Sequence, residues 1–139
     1  FRYAEILLNY AEAMAEWKDA DYTDREHPIS ARTALNQVRK AANMPEITAT
    51  GEEFKSCVHR ERRVVLAFED HRFWDIRRWK IGKETNRIYR MKITRNSAGG
   101  FDYQKELLET RQWSEKMNLY PIPQSEYYIN PNLGQNPGW

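Results

Sequence analysis

Apolar side chains recur with a helical period over residues 2–17, where Tyr3, Ile6, Leu7, Tyr10, Met14 and Trp17 share one side of the chain. The spacing predicts a helix with that side turned inward. A polar stretch at 18–28 ends in His27-Pro28, and Ser30 stands where a helix N-cap is expected. The period returns over 31–42 through Ala31, Ala34, Leu35, Val38, Ala41 and Ala42, until Pro45 stops it. Small residues at Ala11, Ala13, Ala34 and Ala41 predict a close antiparallel contact, as in one tetratricopeptide-type hairpin. A lone hairpin of that kind leaves faces uncovered, because about three repeats are needed to close a core. The chain also opens on Phe1 with no capping residue before the first helix. Together these features predict the C-terminal piece of a longer protein, packed against its own N-terminal region.

Thr50, with Glu53 three residues on, predicts a capping box at the start of a third helix. Phe54, Val58, Val65 and Phe68 form its apolar stripe. A further helix is expected from Arg72 to Ile81, closed by Gly82 as the residue after its end. Residues 87–95 partly alternate, 96–100 read as a turn, and 101–113 hold a second strand, so a β-hairpin is expected. From Leu119 onward, four of the six prolines break any regular element. Yet Tyr120, Tyr127, Tyr128, Ile129, Leu133 and Trp139 lie among them, which favours an ordered loop packed onto the body. The expected class is mainly α: a tetratricopeptide-like helix pair at 1–45, helices at 50–82, a small hairpin within 83–118 and a packed tail at 119–139.

Composition narrows the field only at the edges. The 139 residues are 40% hydrophobic and 13% aromatic, with a mean hydropathy of −0.90. That is wet for a self-sufficient domain but far too aromatic for a disordered tail. No apolar run approaches the ~20 residues of a membrane-spanning helix. One cysteine, Cys57, makes neither an internal disulfide nor a zinc cage. The net charge of +2 hides an uneven distribution: 6 basic against 10 acidic residues in 1–54, 13 against 5 in 55–95, and 3 against 5 in 96–139. A basic middle between acidic flanks means either a nucleic-acid face or internal ion pairing. Phe73, Trp74, Ile76 and Trp79 leave no clean polar face around Arg72–Ile81, which argues against nucleic acid.

Candidate chemistry is sparse. Glu61 falls in phase with the apolar stripe of the third helix, and Arg62, Arg72, Arg77 and Arg78 stand ready as partners, so a structural ion pair is expected. Asp75, with Arg72 at i−3 and Arg78 at i+3, reads the same way. Glu69, His71 and Asp75 make a poor metal set among three arginines. No nucleophile triad, phosphate loop or paired-cysteine motif is present, so no catalytic residue, metal or cofactor is expected.

The blocks RYAEILLNYAEA (2–13), ALNQVRKAA (34–42), RERRVVLAFEDHRFWDIRRWK (60–80), YPIPQSE (120–126) and NPNLGQNPGW (130–139) resemble, in order, the C-terminal region of the SusD/RagB family. The likeness is weakest over 83–118. Members of that family often carry Gly where Asp70 stands, at the bend after Glu69. The resemblance implies a non-enzymatic, outer-membrane surface lipoprotein that binds glycans or other nutrients and sits on a SusC-type TonB-dependent transporter. Its lipid would lie on a cysteine N-terminal to this stretch, so Cys57 is not that residue. The resemblance also implies that Glu61, Arg62, Arg72, Asp75, Arg78 and Trp79 are structural. Family ligand contacts follow no fixed motif. Tyr89, Tyr103 and Trp113, aromatics with polar neighbours in the least family-like stretch, are the candidates for sugar contact, although packing of the hairpin onto the helices is the favoured reading of them. Two other readings stay open: a helical-repeat module that binds only protein, and a nucleic-acid binder using residues 60–80.

Overall fold

In the computed structural model, which describes residues 2–139, helices alternate with loops as far as Arg78 and one β-hairpin follows. The fold is mainly α, 45% helical, with a small antiparallel hairpin. Two units divide the chain, one ending at Arg72 and the other spanning Phe73–Trp139.

The first unit contains α1 (Tyr3–Trp17), α2 (Ala31–Ala41) and α3 (Gly51–Val65). The Ser30 hydroxyl accepts the Thr33 amide and caps α2. Helix α1 is rotated from the face that its large residues suggested. Leu7, Leu8, Ala11, Met14 and Ala15 are buried, whereas Tyr3, Ile6 and Trp17 are exposed. The close contact is made by Ala11, Ala15, Ala31 and Ala34, all nearly inaccessible, while Ala13 and Ala41 face outward. Phe54 and Val58 of α3 complete this core with Leu35 and Val38.

The rotation of α1 has a polar cause. Residues 2, 5, 9, 12 and 16 lie at alternating steps of three and four, so they line one helical stripe. Each meets a partner on the chain running back along it. Glu16 pairs with Lys55 at 3.1 Å, Glu12 with His59 at 3.9 Å and Glu5 with His71 at 3.6 Å. Arg62, itself buried, donates to the Asn9 amide oxygen. Arg2 pairs with Glu69 at 2.6 Å and donates to the Val65 carbonyl.

Arg32 holds the loops together. It is bidentate to Asp21, whose carboxyl its hydrogen bonds hold below the usual range, and it also donates to the Ile47 and Ala49 carbonyls. Asn36 adds a two-way amide bond to the backbone of Ile47. In the α1–α2 loop the Asp24 carboxylate accepts the amides of Glu26 and His27, the His27 ring and the Tyr22 hydroxyl. These bonds, the His27 amide foremost, lower its pKa to about 2.

Helix ends depart from the sequence reading. Thr50 makes no side-chain cap, because the chain enters α3 through Gly51 at φ 54°. Phe68 leaves the apolar stripe altogether: α3 ends at Val65, and Phe68 takes φ 65° and is fully exposed. Asp70 has φ 61°, the left-handed region where glycine is strain-free. Asn43, at φ 54°, closes α2 with amide bonds 43 to 40 and 44 to 39, a Schellman end.

Glu61 is buried and ion-paired, but its partner is Arg39 of α2 at 2.5 Å, not an arginine close in sequence. Arg39 also donates to the Pro45 carbonyl. Replacing Glu61 by Ala leaves that guanidinium buried and unpaired and is expected to cost about 3–5 kcal/mol. Thermal melts of Glu61→Ala, Arg39→Ala and the double variant test this. The double variant should lose less than the sum of the singles. A Glu61→Ala protein that melts with the parent would show that the pair contributes nothing.

The acid side of the stability profile should carry the Asp24 loop. A carboxyl held near 2 against an ordinary 3.8 lends stability above pH 4, which drains away as the pH falls from 3.8 through 2. A carboxyl-carbon NMR titration should place the Asp24 midpoint near 2. A midpoint at 3.8 would mean that the loop bonds do not persist in solution.

Candidate ligand-facing surface

The second unit begins within α4 (His71–Arg78) and continues through β1 (Arg87–Arg95), β2 (Phe101–Thr110) and α5 (Gln124–Ile129). Helix α4 closes on Lys80, not Gly82. Lys80 takes φ 56°, with amide bonds from 80 to 77 and from 81 to 76. Gly82 is needed for space instead. A Cβ there would lie 1.9 Å from the Trp113 ring, so the indole occupies the room that a side chain would need.

Around that contact α4 assembles an aromatic cluster. The Arg77 guanidinium lies 3.5 Å from the Phe73 ring centre, 5.3 Å from Trp113 and 5.6 Å from Tyr120. Phe73 meets Trp74 edge-on at 5.1 Å, and Tyr120 lies 6.0 Å from each. Asp75 is almost fully buried and accepts from Arg78 at 2.9 Å, while Arg72 is half-buried.

The tail folds back on itself through side-chain-to-backbone bonds. Gln135 both donates to and accepts from the Ile122 backbone, Asn136 donates to the Tyr120 carbonyl, and the Trp139 indole donates to Lys116 and Leu119. Within it lies α5, where the sequence reading expected no regular element. Its six residues fit between Pro123 and Pro131 and so escape a rule that reads prolines as breakers.

The hairpin is the part of this unit with chemistry to spare. Pairing runs from Arg87↔Thr110 to Arg95↔Phe101, with a bulge after Ile88. Residues opposite one another point to the same side. One side therefore carries Arg90, Lys92, Gln104 and Glu106, and it is internally paired. Glu106 binds Arg90 at 2.9 Å and Lys92 at 3.3 Å, and these bonds, that of Arg90 first, lower its pKa. The other side carries Arg95 together with Tyr89, Met91, Ile93, Phe101, Tyr103 and Leu107, these six each 45–67% exposed. The Lys105 ammonium sits on that side, 4.2 Å from the centre of the Tyr89 ring.

Of the three candidates for sugar contact, the fold thus brings Tyr89 and Tyr103 onto one surface and takes Trp113 away to cover Gly82. The sequence reading missed Arg39 as the partner of Glu61, 22 residues away. It also missed the polar stripe of α1, although its three-four spacing is visible in residues 2–16. Among the described residues no group of three or more His, Cys, Asp or Glu is placed to hold a metal. Glu69 and Asp75 are engaged by Arg2 and Arg78, and His71 faces Glu5.

The family model described as the SusD family matches residues 1–139. The chain belongs to the SusD family. SusD-like protein P2 of Formosa agariphila is 29% identical to it over 148 residues, covering 99% of this chain and 25% of that protein. The crystal structure of a SusD-like protein from Bacteroides fragilis superposes with a TM-score of 0.78 at 33% identity, over 100% of this chain and 25% of that one. The chain therefore spans about a quarter of the length of these SusD-family relatives.

The Gly82–Trp113 contact makes a specific demand. Gly82→Ala should expel the indole and cost about 1–3 kcal/mol by overpacking. Loss of thermal stability, together with a red shift of tryptophan emission, is the expected result. Adding Trp113→Ala should recover part of the loss. A Gly82→Ala protein as stable as the parent would rule the contact out.

Proposed function

We propose that the protein is a non-catalytic, surface-exposed nutrient-binding component that delivers glycans or related nutrients to a SusC-type TonB-dependent transporter of the outer membrane. The observation that carries this reading is the SusD-family match along all 139 residues, at a TM-score of 0.78 to a solved member. The geometry is compatible with a binding role. Its conspicuous carboxylates, Glu61, Asp75 and Glu106, are each committed to an arginine and are not poised as acid and base. The proposed attachment is through an N-terminal lipid outside this stretch, a reading that rests on the family match.

The test is made in the cells that produce the protein. Antibody raised against this chain should recover it from detergent-extracted outer membranes together with a TonB-dependent transporter, and protease added to intact cells should remove it. Recovery from the cytosolic fraction, protected from protease and without a transporter, would overturn the reading.

A further inference from the structure

We draw no further inference here: the strongest candidate, the exposed apolar side of the β1–β2 hairpin around Tyr89 and Tyr103, carries nothing because the chain spans about a quarter of its relatives' length and nothing in the structure shows what covers that side.

Discussion

The polar seam between α1 and the returning chain sets the geometry of the first unit. Arg2 and four positions of α1, Glu5 to Glu16, meet Glu69, His71, Arg62, His59 and Lys55, with Asn9, Glu12 and Glu16 paired in antiparallel order. An apolar contact tolerates sliding, because one methyl group is much like another. A ladder of charges and amides does not, since a slip of one residue breaks every rung. The seam therefore supplies register, and the alanines beneath it supply closeness. Its individual rungs at the surface are worth little. The Arg62–Asn9 rung, with Arg62 buried, and the Arg39–Glu61 pair fix the arrangement more firmly, because leaving the buried half unsatisfied is costly.

Contacts within the fold also tie up several of the basic residues behind the uneven charge. Lys55 and Arg62 are spent in this way, and Arg78 on Asp75. Arg77 is stacked among aromatic rings. A nucleic-acid surface needs cations free to displace counterions at phosphates, and these are engaged elsewhere.

The parts of the fold that were legible in the sequence are the local ones. The helical periods of α1 to α3, the Ser30 cap and the 96–100 turn follow from neighbours within a few residues. Non-local partners decided what was not legible. The inward face of α1 was ambiguous because Leu7 and Leu8 border both candidate stripes, and the choice fell to α3. Gly82 looked like a helix terminator because the ring that requires it lies 31 residues on. Phe68 fitted an apolar stripe whose helix had already ended at Val65. The candidate surface was half legible. Tyr89 and Tyr103 stood out as aromatics with polar neighbours, but only the register of the hairpin puts them on one side, and only the close approach at Gly82 removes Trp113 from their company.

The two kinds of surface in this chain differ in what they leave unmet. On α2, Arg32 and Asn36 are tied to backbone carbonyls, so part of the polar lining of the groove beside them is already satisfied. On the hairpin, the charged side closes its own ion pairs through Glu106, which leaves the opposite side with apolar area and aromatic faces but few polar demands. Burial of a self-satisfied polar surface gains little, because each bond made to a ligand replaces one made before. Burial of exposed rings gains at once, at about 25 cal/mol per Å².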